Sequence, residues 1–175
     1  MAVLNFEFKA RCADTDALEK KLLALDPVFI GEDLQVDTYF NVNNGRLKLR
    51  EGKIENALIW YERKNEAEAK LSKVLLYQHS PDPMLKSILI KVLGIKVVVE
   101  KKRRIYFIGH VKFHFDTVPG LGTFVEVEAI DRTGEIGIEQ LQQDCKKYAA
   151  LFDIDASDFL PGSYSDMIKI PCSWY

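Results

Sequence analysis

Alternation of apolar and polar residues with a period of two runs through most of this chain and constrains its fold more than any other feature. Residues 4–12 alternate over their full length, and similar runs occupy 46–50, 111–118 and 123–130. Successive side chains of a β-strand point to opposite faces, so these runs predict strands with one apolar and one charged face.

The full pattern predicts about eight strands and a smaller number of helices. The strands are expected at 4–12, 34–42, 46–50, 58–64, 71–79, 96–108, 111–118 and 123–130. Helices are expected from a cap at Asp14 or Thr15 through Leu25, at 84–93, and at 138–152, with a last turn near 165–168. The 175 residues contain no repeat or linker, which favours a single α+β domain spanning 1–175.

Composition narrows the class of protein. With 24 basic and 26 acidic residues the net charge is −2, so nothing in the overall charge favours nucleic acid as a partner. No apolar run is long enough to cross a bilayer, and the charged, alternating N-terminus does not resemble a secretory signal. The three cysteines lack metal-site spacing, which together with these features favours a cytoplasmic protein without disulfides.

Charged residues are segregated by sign on the predicted strand faces. Each strand taken alone is compatible with an ordinary solvent-facing surface. Together they are less ordinary, because like charges on one face repel unless an ion of opposite sign lies against them. Arg46, Lys48 and Arg50 share one face, and Glu126 and Glu128 share another. Further faces hold Asn5, Glu7, Lys9 and Arg11, and Lys112, His114 and Asp116, and residues 101–104 form a basic cluster on the strand that begins at residue 96.

Such segregation is what a metal-bound polyphosphate requires. Basic side chains neutralise phosphate oxygens, and carboxylates hold the divalent ion that bridges them. A closed barrel would turn the polar faces inward, but periodicity by itself does not decide which face points in.

Several motifs resemble, in order, those of the CYTH family, the triphosphate tunnel enzymes named for class IV adenylate cyclases and thiamine triphosphatase. Residues 5–9 (NFEFK) are similar to the family's ExExK motif, and 47–50 (LKLR) to its basic element. Residues 116–128 (DTVPGLGTFVEVE) are the strongest match. The remaining similar segments are 35–40, 61–63, 70–72, 94–103 and 162–166.

The resemblance implies an antiparallel eight-stranded closed β-barrel, a tunnel with helices packed outside, that binds Mg²⁺ or Mn²⁺ and a small-molecule triphosphate. It implies no nucleic acid or membrane partner and leaves monomer and homodimer open. The implied metal ligands are Glu7, Glu126, Glu128 and Asp116, the last of these as a ligand or an orienting group. The implied substrate-binding residues are Lys9, Arg11, Lys48, Arg50, Arg63, Lys101 and Arg103, of which Lys9 and Arg63, with Asp116, are the catalytic candidates.

Four residues either depart from the family pattern or have an ordinary structural explanation. Asn5 replaces the first glutamate of ExExK, so the acidic set is one carboxylate short. Lys70 is interpreted as surface charge, His114 as a hydrogen-bonded bystander, and Cys12 as a core residue.

Three functions remain open on these grounds. A hydrolase would activate water against an inorganic or organic triphosphate such as thiamine triphosphate, whereas a class IV adenylate cyclase would convert ATP to cyclic AMP and pyrophosphate. Segments 94–103 and 116–128 resemble the cyclase-like subgroup more closely. A non-catalytic triphosphate sensor is the third alternative, and Asn5 is the feature that favours it.

Overall fold

Eight antiparallel strands close into one barrel. The structure, a computed structural model, describes residues 3–63 and 69–168, without the side chain of Arg63. Around the barrel the strands follow the order β1-β5-β4-β3-β2-β6-β7-β8, so β1 pairs with both β5 and β8. The strands are β1 (Val3–Arg11), β2 (Val28–Phe40), β3 (Arg46–Glu51), β4 (Ala57–Arg63), β5 (Lys70–Gln78), β6 (Ile95–Ile108), β7 (Val111–Val118) and β8 (Gly122–Asp131). The α+β barrel expected from the sequence is confirmed.

Helices connect the strands and cover part of the outside of the barrel. In the described part of the chain they are α1 (Thr15–Leu23), α2 (Pro83–Leu93), α3 (Ile138–Leu151) and α4 (Tyr164–Met167), together with a 3-10 turn at Ala156–Asp158. The expected N-cap of α1 is Asp14, whose carboxylate accepts a hydrogen bond from the backbone N–H of Ala17 at 2.9 Å. None of the described helices combines the length and the apolar character that a membrane crossing requires.

One strand is longer than the sequence pattern predicts. β2 begins at Val28 rather than at residue 34, because residues 28–31 pair with the C-terminal half of β6. A register shift between Phe29 and Gly31 interrupts the alternation there. Such a bulge removes the regular period-two signal while leaving the strand pairing intact.

The main hydrophobic core lies outside the barrel, between its outer surface and helices α1 and α3. Phe8 on β1 and Phe113 on β7 are fully buried in it, and the Phe113 ring meets that of Tyr148 on α3 edge to face, with centroids 4.6 Å apart. Cys12 belongs to the same core, as expected. Because the helices cover the apolar faces of β1, β7 and β8, the charged faces of these strands point into the barrel.

Candidate active site in the barrel

The barrel interior contains a cavity of about 340 Å³ with charges of both signs on its walls. A small closed barrel is ordinarily filled by side chains, so an open, charged interior is a specific feature of this protein. The cavity lining includes Lys9, Lys48, Arg50, Lys101, Arg103 and Lys112 together with Glu7, Asp37, Glu55, Glu126 and Glu128.

Eight of the eleven residues singled out in the sequence line this cavity: Glu7, Lys9, Lys48, Arg50, Lys101, Arg103, Glu126 and Glu128. Arg11 is on the barrel rim instead, exposed at the end of β1, where its guanidinium donates to the carbonyl of Leu121 at 3.3 Å. Strand parity puts Arg11 on the same face as Lys9. Arg11 is, however, the last residue of β1 and lies at the edge of the barrel rather than inside it. The side chain of Arg63 lies outside the described part of the chain.

Three basic side chains converge on Asp37 of β2. Its carboxylate accepts hydrogen bonds from Lys48 at 2.9 Å, from Arg50 at 2.8 and 3.1 Å, and from Lys101 at 2.6 Å. Burial alone would raise the pKa of Asp37, but the charges of Arg50, Lys101 and Lys48 outweigh it and hold that pKa well below its ordinary value. Asp37 is therefore an internal anion at the centre of a basic cluster.

A second cluster surrounds Arg103. Asp116, which was expected to contact the metal or to orient a neighbour, holds the guanidinium with both carboxylate oxygens at 2.6 and 2.5 Å. The hydroxyl of Tyr164 donates to Asp116 at 2.7 Å, and Arg103 also reaches Glu126 at 2.7 Å. Burial opposes ionisation of Asp116, yet the adjacent Arg103 charge lowers its pKa to about 2. The structure thus places Asp116 behind Arg103, outside the cavity lining, where it orients the guanidinium.

A group of possible metal ligands forms where β7 pairs with β8. His114 Nδ1 lies 3.1 Å from an Oε atom of Glu126 and 3.8 Å from one of Glu128, and one ligand atom from each residue lies within 4.8 Å of the others. Glu7 is the register partner of Glu128 across the β1–β8 pairing and also lines the cavity. Burial, reinforced by the Arg103 charge, lowers the pKa of His114 to about 4, so its ring is neutral at pH 7, as a metal ligand must be.

Asn5, the position that departs from ExExK, also lines the cavity. Its amide nitrogen donates to Glu7 at 3.1 Å, which fixes the orientation of the amide. Its carbonyl oxygen is buried and has no hydrogen-bond partner among the described residues. An orphaned buried acceptor of this kind is a position where a bound group would find a partner.

One interpretation made from the sequence needs correction, and the structure adds detail to a second. Lys70 is buried, with 3% of its surface exposed, and donates to the carbonyls of Leu160 at 3.0 Å and Pro161 at 2.8 Å. It anchors the segment that leads into α4 and is not a surface charge. His114 is hydrogen-bonded as expected, but its partner is one of the acidic site residues rather than a peripheral group.

Sequence reasoning assigned no role to Asp37 or Glu55, and it placed Lys112 on a charged strand face without giving it a role. Asp37 and Lys112 occupy positions of their strands that period-two alternation assigns to the charged face, so strand parity could have identified both as residues of the cavity. Glu55 lies in the β3–β4 connection, where no periodicity exists, and reaches Arg50 at 2.9 Å and Lys112 through the fold alone. Tyr164 is 4% exposed, and the ammonium of Lys9 lies 4.2 Å from its ring centroid.

The CYTH domain model matches residues 4–160 of the sequence. The chain belongs to the CYTH family. The match spans nearly the whole barrel and contains every charged residue of the cavity lining. A comparison with curated proteins finds no sequence that matches this CYTH protein.

Solved structures share the fold of this CYTH protein. The PH1012 protein of Pyrococcus horikoshii OT3 is 22% identical, with a TM-score of 0.80 over 94% of this chain and 99% of that one. A candidate adenylate cyclase of Vibrio parahaemolyticus is 19% identical, with a TM-score of 0.73 over 94% and 97%. HpAC1 of Hippeastrum, described with a dominant triphosphatase activity, is 13% identical, with a TM-score of 0.59 over the full length of both chains. At these identities the likeness establishes the architecture.

Proposed function

We propose that this CYTH protein is a divalent-metal-dependent enzyme that hydrolyses a phosphoanhydride bond of a small-molecule triphosphate. The observation that carries the proposal is the two-signed cavity, in which six basic and five acidic side chains line one interior space. Basic groups match phosphate oxygens, and carboxylates match the cation that accompanies them. Hydrolysis needs little beyond this, because phosphoryl transfer depends mainly on positioning and on charge stabilisation.

A purely structural role for these charges is the competing explanation. Ion pairs buried in a barrel carry a large desolvation penalty, and apolar side chains of similar volume often stabilise a protein as well or better. Here the pairs surround an open cavity instead of filling it. Several of them also have strongly shifted pKa values, among them Asp37, Glu126 and Lys101, and such clusters concentrate at functional sites.

The donor set fits Mg²⁺ or Mn²⁺. Glu7, Glu126 and Glu128 supply carboxylate oxygens, and His114 adds one neutral nitrogen within reach of two of them. A bound dication would neutralise phosphate oxygens and act as a Lewis acid toward the phosphorus under attack. The predicted ligand Asp116 is not needed for this set, because both of its oxygens are engaged by Arg103.

Five of the six basic residues of the cavity lining divide into two groups with distinct tasks. Lys48, Arg50 and Lys101 already surround one carboxylate, so a phosphate group approaching them would compete with Asp37 for the same donors. Arg103 and Lys9 lie at the end closed by Tyr164 and contact Glu126. We assign the first group to binding the polyphosphate. We assign Arg103 and Lys9 to stabilising the negative charge on the phosphoryl group that reacts.

Nucleotide cyclisation is the second candidate. An uncharged stretch of the cavity wall on β4 and β5, including Ile59 and Val74, could accommodate an organic group beside the phosphates. A cyclase would use the same electrostatic clamp, with a sugar hydroxyl instead of water as the nucleophile.

The deciding experiment is incubation of the protein with ATP and with tripolyphosphate in the presence of Mg²⁺ or Mn²⁺. Release of orthophosphate supports hydrolysis, whereas cyclic AMP with pyrophosphate supports cyclisation. If neither product forms while triphosphate still raises the melting temperature, the protein is a sensor and the proposal fails. In that case Asn5→Glu should restore turnover, if the missing carboxylate is the reason for its loss.

A further inference from the structure

Helix α2 packs against the barrel differently from α1 and α3. Those two helices each bury apolar side chains against the barrel, whereas no residue of α2 is buried. Both ends of α2 are nevertheless fixed to the outside of the barrel. Lys86 pairs with Glu51 of β3 at 2.6 Å, and the carbonyl of Leu93 accepts a hydrogen bond from the amide of Asn41 at 3.2 Å. The helix is therefore held in place with much of its apolar surface open.

The open part of α2 is an apolar stripe. Met84, Ile88 and Val92 follow one another at intervals of four residues, so they lie on the same side of the helix. They are 64%, 53% and 72% exposed. The exposed side of an amphipathic surface helix is ordinarily polar. A stripe of three large apolar residues on that side indicates a surface that another molecule covers.

The neighbouring strands β2 and β6 extend this stripe. Leu34 of β2 lies between Asp33 and Gln35, which are buried inside the barrel, so Leu34 points outward, where it is 61% exposed. Val98 of β6 points outward by the same alternation and is 40% exposed. Since β2 pairs with β6 and α2 packs against β2, these side chains and the stripe form one surface. This α2 face consists of Leu34, Met84, Ile88, Val92 and Val98.

The size of the α2 face suits a protein interface. Its side chains leave on the order of 500 Å² of apolar surface exposed, which matches the apolar part of a standard interface that buries about 800 Å² per partner. The exposed charges on β6 beside it alternate in sign, with Lys96, Glu100 and then Lys102, which pairs with Glu32 at 2.9 Å. An anionic lipid surface would be matched by a uniformly basic border instead. A protein is therefore the better partner.

The charges on β6 indicate which protein fits. Lys96 and Glu100 lie two residues to either side of Val98 on the outer face of the strand, and both are exposed. Within the part of the chain that the structure describes, neither forms an ion pair. A two-fold axis at Val98 would set two copies of β6 antiparallel, with Lys96 of each copy opposite Glu100 of the other. The pattern is thus complementary to itself.

The stripe on α2 has the same symmetry. Ile88 is its midpoint, so a two-fold axis there would place Met84 of one copy against Val92 of the other. Helix and strand rises put Ile88 and Val98 both roughly 8 to 10 Å from the turn at Gly94 that joins α2 to β6. One axis can therefore pass close to both residues, and the apolar and the charged patterns select the same partner.

We propose that the α2 face binds a second copy of the chain across a two-fold axis near Ile88 and Val98, which makes the protein a homodimer. Every contact in this interface then occurs twice, as a two-fold interface requires. The inference goes beyond the proposed function, because it depends on the outer surface of the barrel and not on what the cavity binds.

The first test is sedimentation velocity of the full chain from about 1 to 100 µM, which measures the monomer–dimer equilibrium. Ile88→Glu should raise the dimer dissociation constant at least about 100-fold, because it buries two carboxylates at the centre of an apolar interface. Ile138→Glu is the matched control, since Ile138 is 45% exposed at the start of α3 and lies outside the α2 face. It should leave the constant unchanged, and circular dichroism checks the fold of both variants.

The second test exchanges the charges on β6. Lys96→Glu and Glu100→Lys should each weaken the dimer about tenfold, since each brings like charges together at two symmetric contacts. Combining both substitutions in one chain restores opposite charges and should return the dissociation constant to within about threefold of its original value. Two substitutions that act independently would instead weaken the dimer further in combination.

Three outcomes would overturn the homodimer. The first is a protein that stays monomeric over the whole concentration range, or a dimer that Ile88→Glu leaves unchanged. The second is a charge exchange that fails to restore association. The third is a monomer that binds vesicles of phosphatidylcholine and phosphatidylserine and loses this binding in Ile88→Glu, which would assign the α2 face to a lipid surface. Triphosphate turnover is measured independently of all three.

Discussion

Asp116 accepts hydrogen bonds from the guanidinium of Arg103 with both carboxylate oxygens, on the side of Arg103 that faces away from the cavity, and does not itself line the cavity. The pair is almost fully buried, and Arg103 turns its remaining donors toward Glu126 and the cavity. Asp116 therefore acts through Arg103, and its removal should alter the position of that guanidinium rather than the ligands of the metal.

Asp116→Asn should lower kcat/KM for a triphosphate roughly 10- to 100-fold, because a misplaced charged donor loses transition-state stabilisation. The divalent-metal affinity measured without substrate should stay the same. Tyr164→Phe is the matched control, since it removes only one of the hydrogen bonds to Asp116 and should have a much smaller effect. A large loss of metal affinity in Asp116→Asn would show that Asp116 is a ligand after all.

Glu126→Gln should abolish metal-dependent turnover. The amide removes the negative charge that His114, Lys9 and Arg103 all approach, and it is a poor ligand for a dication. Turnover is measured as product release under saturating metal, with circular dichroism to confirm the fold. The exposed Glu135→Gln serves as control, and retained activity in Glu126→Gln would refute the assignment of the metal site.

The imidazole of His114 should bias metal selection. Mg²⁺ prefers oxygen ligands, whereas Mn²⁺ accepts nitrogen more readily, so calorimetry without substrate should show tighter binding of Mn²⁺. His114→Asp should narrow the ratio of the two affinities by about tenfold. His110→Asn, a change at the partly exposed histidine that pairs with Asp144, should leave the ratio unaltered. An unchanged ratio in His114→Asp would exclude His114 from the ligand set.

Asp37 should make the protein sensitive to acid. Its pKa in the folded state is below the ordinary value of 3.8, so the stability it contributes is present above about pH 4 and is lost as the pH falls below that point. In denaturant unfolding at pH 7, Asp37→Asn should cost on the order of 3 to 5 kcal/mol, because it leaves buried cations without their partner.

The difference in unfolding free energy between Asp37→Asn and the unaltered protein should shrink as the pH is lowered from 7 to 3. Asp16→Asn is a suitable control, since Asp16 forms an exposed ion pair with Arg104 and should change stability by less than about 0.5 kcal/mol. A difference that stays constant over this pH range would mean that the pKa of Asp37 is the same in the folded and the unfolded protein.

The sequence was sufficient for most of the strands and for most of the charged residues, because period-two alternation survives in most strands taken alone. It did not decide which face points inward, since parity groups residues without assigning a side. That choice is made when α1 and α3 cover Phe8 and Phe113 on the outside of the barrel. The resemblance to the CYTH family predicted that the charged strand faces point into the barrel, which periodicity alone could not predict.

Other features depend on where elements meet in space. Asp37 looked like one polar residue of a strand, and only the closed barrel brings Lys48 and Lys101 onto its carboxylate from two different strands. Arg11 had the right parity but sits beyond the end of the interior. Glu55 reaches the cavity from a connection, where local sequence contains no positional signal.

Closure of the barrel by pairing of β1 with β8 has a consequence for how the protein folds. The register pair Glu7 and Glu128 joins the first strand to the last, so this contact has one of the greatest sequence separations in the molecule. Contacts of this kind form late and slowly, since loop-closure entropy must be overcome first. Until then β1 and β8 are open edges that invite pairing with other chains. We therefore expect the acidic site to be assembled late in folding, and a chain whose β1 and β8 have not paired to lack both the site and protection against aggregation.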